Sequence, residues 1–228
     1  ESKLGRLLAP QISLILKRQA PAKESESEML QTTGGRALFN RLLSLGVASG
    51  DQAAIKISLV HVESHNMSLS QGAMAALNHC NHPARKTAMQ IFHDRWKDNA
   101  LVLEKWFMME STSAVSGSVS RLKELMDHPA FDMSNPNKLR SVLGAFMAGN
   151  QVHFYAKDGS GFSFIGKCLY DIDGRNPQLA ARLALPLTRF AHYAPFRRRQ
   201  MIEVLKKFQQ ANRSNDLREV VDKALEDV

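Results

Sequence analysis

The sequence predicts an all-α protein, an irregular α-solenoid of stacked antiparallel helix pairs. Apolar residues recur at i, i+3 and i+4 along almost the whole chain, the spacing of one helical face. No Val/Ile/Thr run alternates long enough to read as a strand, and only Val152 to Tyr155 reads as extended. The connections between helical stretches are brief, which makes consecutive helices antiparallel neighbours. No residue-level repeat is visible, so the stacked pairs are irregular in sequence.

Residues 1–33 read as an N-terminal helix and linker, and 34–228 as the helical domain. Lys3 and Arg6 precede the apolar stretch Leu7 to Leu16, and Ala20-Pro21-Ala22 imitates a cleavage site. Pro10 and Gln11 interrupt that stretch, and Lys17-Arg18 fall where a signal peptide stays neutral, so it is not read as one. Pro21 to Glu28 is charged, Ser-rich and poor in apolar residues, and reads as a linker. The first residue is Glu rather than Met, which fits a fragment or a processed product.

Helices are expected at 35–46, 51–64, 69–79, 83–96, 100–111, 114–127, 136–148, 161–172, 176–192, 195–210 and 214–226. The helix at 136 has the clearest start. Asn135 can cap it, and Pro136 suits the first helical position, where its missing N–H is not needed. Leu139, Val142, Leu143, Phe146 and Met147 then give it a core face. The helix at 161 follows Asp158-Gly159-Ser160-Gly161, a tight turn in which Asp158 or Ser160 caps. Asn176-Pro177 repeats the Asn-Pro start. After Pro195, Met201, Ile202, Leu205 and Phe208 form a core face, leaving Arg197-Arg198-Arg199 on the solvated side.

At 228 residues the chain can bury one good core or two small ones. Two cysteines, Cys80 and Cys168, build no disulfide framework, which points to a reducing compartment. No run approaches the roughly 18 apolar residues of a membrane span. The net charge is +8, and most of it is local: residues 175–207 hold eight Lys or Arg and one acid, Glu203. A basic stretch of this kind is usually a solvated face, with an acidic partner or nucleic acid as the alternative.

Several constellations imitate metal or ligand sites. His61 and His65 at i and i+4 share a helix face, but Glu63 falls two positions after His61 instead of directly after it. On a helix it points away from any metal held between the two rings. His61-x-Glu63 also lacks the Pro-Cys-x-x-Cys of a zinc deaminase. His79, Cys80 and His82 match no zinc knuckle and lack a fourth ligand. The Asp158 turn is too short for a phosphate-binding loop and lacks its Lys-Ser/Thr ending. No metal site is expected in this chain.

Arg140 and Arg182 are different. Each sits about one turn into a helix opened by Asn-Pro, near the positive end of its dipole. Two such guanidiniums on neighbouring helices suit an anion, or they pair with structural acids. Spacing alone favours structural pairing.

The run Asn135-Pro136-Asn137-Lys138-Leu139-Arg140-Ser141-Val142-Leu143-Gly144-Ala145-Phe146 also resembles a family signature. With Phe154, Asp158-Gly159-Ser160-Gly161-Phe162, Arg175-Asn176-Pro177-Gln178, Arg182-Leu183 and Pro186, it resembles the C-terminal helical domain of aminopeptidase N, a bacterial zinc metallo-aminopeptidase of the gluzincin family. Trp96, Asn99 and Glu104-Lys105-Trp106-Phe107 fit the same domain, and the resemblance covers residues 35–210.

The resemblance implies an armadillo- or HEAT-like superhelix. The family holds zinc with His-Glu-x-x-His and a distant Glu, and grips the substrate amine with Gly-x-Met-Glu-Asn. Neither motif is present here, and Gly72-Ala73-Met74-Ala75-Ala76 lacks the Glu and Asn. The resemblance therefore implies a non-catalytic domain, inactive alone, with zinc elsewhere in the intact enzyme. Such a domain covers the active site of a cytoplasmic enzyme that removes N-terminal amino acids from peptides. Its partners would be the catalytic domain and peptide substrates, with no membrane or nucleic acid. In this family, arginines matching Arg140 and Arg182 line the substrate channel. Two departures stand out: Gln151 where the family tends to have Pro, and Tyr155 where it usually has His. The alternative is a stand-alone helical-repeat scaffold that binds an acidic protein or nucleic acid through the basic 175–207 face.

Overall fold

A computed structural model describes residues 2–19, 28–115, 117–211, 213–226 and 228. Among them there is no strand, and the chain is all-α. The linker expected from Pro21 lies, apart from Glu28, outside the described residues, as does Ala20-Pro21-Ala22. Two compact units divide the chain, Glu1–Glu110 and Ser111–Val228.

The first unit contains α1 (Ser2–Leu7), α2 (Ala9–Gln19), α3 (Glu28–Gln31), α4 (Thr33–Ser49), α5 (Gln52–Val62), α6 (Met67–Asn78), α7 (Pro83–Trp96) and most of α8 (Ala100–Thr112). Side-chain acceptors set four of the helix starts. Thr32 Oγ1 accepts from Gly35 N, Asp51 Oδ1 from Ala53 N, Asn66 Oδ1 from Ser68 N and His82 Nδ1 from Ala84 N. Each satisfies an amide that the first helical turn leaves without a partner. Helix α4 packs against α1, α2, α3, α5 and α6, and α7 packs against α5 and α6. Phe39, Leu43, Leu69, Met74, Leu77 and Phe92 fill the core, joined by Ile12 and Leu16 from α2.

One charged cluster is buried in this unit. Arg85 NH2 donates to Glu110 Oε2 at 2.8 Å, and Arg85 Nε donates to the Asn78 carbonyl at 3.0 Å. Asn78 Nδ2 donates in turn to the Met109 carbonyl. A buried ion pair persists when its remaining polar atoms are also bonded. These bonds tie the end of α6 and the start of α7 to α8.

The second unit contains α9 (Val119–Met126), α10 (Pro136–Leu139), a π-helical segment Arg140–Gly144, α11 (Ala145–Gly149), α12 (Gln151–Phe154), α13 (Ser160–Asp173), α14 (Pro177–Thr188), a 3-10 turn Phe190–His192, α15 (Pro195–Gln210) and α16 (Asn215–Leu225). Phe154 holds the core together, meeting Phe146 and Phe162 edge-on at ring separations of 5.7 and 5.2 Å. Helix α14 packs against α13, α15 and α16.

Three sequence expectations are corrected. The helix expected at 114–127 begins only at Val119. Asn150 Nδ2 donates to the carbonyls of Ser111, Ser113 and Gly117 at 2.9–3.0 Å, using backbone acceptors between the end of α8 and the start of α9. Val152 to Phe154 is helical instead of extended, because Asn150 Oδ1 accepts from His153 N and caps a short helix there. Gln151 thus occupies the first helical position, where proline is also suited, so that departure leaves the backbone unaffected. The helix expected at 176–192 ends at Thr188, shortly after Pro186, and closes in the 3-10 turn.

Candidate functional site

The two Asn-Pro helix starts are built alike. Asn135 Oδ1 accepts from Asn137 N at 2.9 Å and Lys138 N at 3.3 Å, and Pro136 takes the first helical position. Asn176 Oδ1 accepts from Leu179 N at 3.0 Å, and Pro177 follows in the same way. The sequence signal for both caps is correct in residue and geometry.

These two starts border one small cavity of about 100 Å³, lined by Pro136, Arg140, Asn176, Gln178, Leu179 and Arg182. The structure therefore brings the two singled-out arginines together. Both are exposed. Arg140 NH1 donates to Asn137 Oδ1 at 3.2 Å, a neutral bond that aims the guanidinium without neutralising it. Neither arginine makes an ion pair among the described residues. The structural pairing that spacing favoured is absent there. Two guanidiniums beside the positive end of α14 make a pocket suited to an anion, and a carboxylate can take the forked geometry.

Both arginines also sit at breaks in helical regularity. Arg140 opens the π-helical segment, a rare geometry that concentrates at functional sites. Pro186 lies four residues after Arg182 inside α14, and it has no N–H to return to the Arg182 carbonyl. Neither break is read from the sequence: the expected helix runs through Pro186 to 192, and the apolar positions of the π segment keep ordinary helical spacing.

The imitation sites resolve into structural roles. Helix α5 ends at Val62 with Glu63 as its C-cap, so His65 lies beyond the helix and does not share a face with His61. His61 is buried edge-on against Phe39 at 4.9 Å. His65 Nδ1 lies 3.3 Å from Arg95 NH2, and Arg95 also donates to the carbonyls of Glu63 and Ser64. His82 uses its Nδ1 as the α7 cap, and burial pushes the Cys80 thiol up. His79, Cys80 and His82 border a larger cavity of about 520 Å³ with Ser44, Ser49 and Gln52. Among the described residues no group of three or more His, Cys, Asp or Glu is arranged to hold a metal ion.

Asp158 Oδ1 accepts from Ser160 N and Ser160 Oγ at 3.0 and 2.7 Å, which holds its carboxyl below the usual range. Gly159 takes the left-handed conformation at φ 72°, as a tight turn before α13 requires. Tyr155, the second departure, stacks on Tyr193 at 4.7 Å with their hydroxyls 2.6 Å apart. Burial, then the Tyr193 hydroxyl, push its pKa up.

On the basic stretch, Arg198, Arg199, Lys206 and Lys207 are exposed, while Phe190 and Phe208 are buried and Tyr193 is held by Tyr155. Arg197 lies over the Phe196 ring at 4.6 Å and donates to the Tyr155 carbonyl. The aromatics of this face are thus mostly engaged in packing. No helix among the described residues is long and apolar enough to cross a membrane.

A family model described as "Domain of unknown function (DUF3458_C) ARM repeats" matches residues 1–226. Aminopeptidase N of Escherichia coli (strain K12) is 39% identical over 176 residues, covering 76% of this chain and 20% of that protein. Aminopeptidase N of Haemophilus influenzae is 34% identical over 173 residues, covering 74% of this chain and 20% of that protein. The crystal structure of Legionella pneumophila aminopeptidase A in complex with aspartic acid superposes with a TM-score of 0.84 at 26% identity. It covers 100% of this chain, which covers 28% of that one. The chain spans about a fifth of the length of these curated relatives.

Proposed function

The chain belongs to the family of armadillo-repeat C-terminal domains of aminopeptidase N, and from that premise we propose that it serves a zinc aminopeptidase as its non-catalytic substrate-channel domain. In this reading the enzyme removes N-terminal amino acids from peptides, and the catalytic domain of the same protein is the partner. The helical domain covers the active site, excludes water and folded chains, and contributes Arg140 and Arg182 to the channel wall. Zinc and the groups that use it lie elsewhere in the intact enzyme; His61, His82 and His65 here serve in core packing, capping and hydrogen bonding. The unpaired thiols Cys80 and Cys168 support a cytoplasmic location.

The observation that carries this reading is the cavity shared by Arg140 and Arg182. An exposed guanidinium with no acid beside it is ready for an anionic or carbonyl-bearing ligand, such as the carboxylate end of a short peptide. Asn135 and Asn176 cap the two helix starts and set the backbone positions from which the arginines project. The role is recognition and orientation on the side of the scissile bond away from the free amine.

Two measurements test the assignment. The isolated chain should hydrolyse no aminoacyl-anilide and hold no stoichiometric zinc by metal analysis. Activity that a chelator abolishes, or one tightly held zinc per chain, contradicts it.

A further inference from the structure

We infer that a groove between α13 and α15 is a docking site for an acidic peptide segment of a partner protein, anchored by one large apolar side chain. The groove encloses about 340 Å³, within the range of ligand pockets. Ser163, Gly166, Lys167, Tyr170 and Asp171 line it from α13, at the spacing of one helical face. Val204, Lys207 and Phe208 line it from α15, again on one face. It is separate from the Arg140–Arg182 cavity and shares no residue with it.

The floor of this groove is apolar. Tyr170 stacks on Phe208 at 6.4 Å and 27°, and Tyr170 is 45% exposed while Phe208 is buried. Gly166 brings the helices together: a Cβ there would meet Val204 Cγ1 at 2.7 Å. Helices held this close leave a furrow lined by the flanking side chains, the geometry in which grooves take amphipathic segments.

The rim decides the partner. Lys167 and Lys207 are exposed and make no hydrogen bond or ion pair among the described residues. Arg213 lies over the Tyr170 ring at 3.3 Å to the centroid and donates to the Tyr170 carbonyl. Its charge is partly met by Asp173 at 3.9 Å. Asp171 is the one carboxylate lining the groove. Three cations around an apolar floor, with Lys206 exposed nearby, complement a segment rich in Asp or Glu that presents Leu or Phe. A nucleic acid fits less well, because Arg213 already covers one face of Tyr170, the only exposed aromatic ring there.

The test uses the full chain and fluorescein-labelled synthetic peptides of about a dozen residues, some three helical turns. One peptide is acidic with a central Leu-Phe pair. A second replaces that pair with Gly-Ser, a third replaces every Glu with Lys, and an oligothymidylate strand is the nucleic-acid probe. The acidic Leu-Phe peptide should bind tightest and weaken as salt rises. The double variant Lys167→Glu/Lys207→Glu should weaken it by about 10-fold or more, with the melting temperature unchanged. Tyr170→Leu, which keeps an apolar floor, should cost less than that charge reversal. Equal binding of the Gly-Ser peptide would overturn the anchored groove, leaving only diffuse charge attraction. Binding that survives the charge reversal, tighter binding of the oligonucleotide, or no binding at all would also overturn the inference.

Discussion

Arg85 and the pair Arg140/Arg182 are the same residue type in opposite settings. Arg85 is buried, in contact with Glu110 at 2.8 Å and bonded to Asn78. Arg140 and Arg182 are exposed, and no acid pairs with them among the described residues. The partner distinguishes an arginine that fastens helices from one that, on the proposed reading, is held out for a ligand. Charge on the first is consumed by the fold, whereas charge on the other two remains available. Exposed side chains without an ion-pair partner contribute little to stability, so removing Arg140 or Arg182 should cost the fold little.

The sharpest way to break this contrast is at the buried end. Arg85→Ala removes the guanidinium bonded to Glu110, and Glu110→Ala removes the carboxylate bonded to Arg85. Each should lower unfolding stability in urea by about 3–5 kcal/mol. Arg140→Ala and Arg182→Ala, measured alongside, should each change it by less than about 0.5 kcal/mol. Similar losses at all three positions would abolish the distinction.

Next in size is the Asn150 hub. Its side chain holds the loop before α9 through the carbonyls of Ser111, Ser113 and Gly117, and caps α12 through His153 N. Asn150→Ala should cost about 1–3 kcal/mol and speed amide exchange at His153. A variant as stable as the parent, with His153 still protected, would mean that Asn150 is replaceable there.

Smaller effects belong to the caps of the helices that carry Arg140 and Arg182. Asn135→Ala and Asn176→Ala should each cost about 1 kcal/mol. In the intact enzyme they should also weaken peptide use modestly, because the arginines lose their fixed footing. Unchanged kinetics in a cap variant of lowered stability would separate the arginines from the caps.

Much of this was legible in the sequence. Asn135-Pro136 and Asn176-Pro177 announce their helices through local chemistry that needs no tertiary context, and both caps form as expected. Of the predicted face Met201, Ile202, Leu205 and Phe208, three residues are buried and Ile202 is half-buried. The misses lie where distant residues decide local geometry. Asn150 reaches the carbonyls of Ser113 and Gly117 from more than thirty positions away, which no local pattern reveals. Glu110 as the partner of Arg85 spans 25 positions and was invisible for the same reason. The shared cavity needed the fold as well: spacing placed each arginine on its helix, and only the packing set Arg140 beside Arg182.

The channel role is tested most directly by the ratio of kcat/KM for a short peptide to that for an aminoacyl-anilide. It should be measured in the intact enzyme for Arg140→Ala and Arg182→Ala, beside each variant's melting temperature. A guanidinium that holds the peptide beyond the scissile bond has nothing to hold in an anilide. Losing a charge-assisted hydrogen bond of about 1.5–3 kcal/mol should reduce peptide efficiency roughly 10- to 150-fold and leave the anilide almost unaffected. The melting temperature should stay near that of the parent. An unchanged ratio with a lowered melting temperature would contradict the account and return both arginines to helix packing.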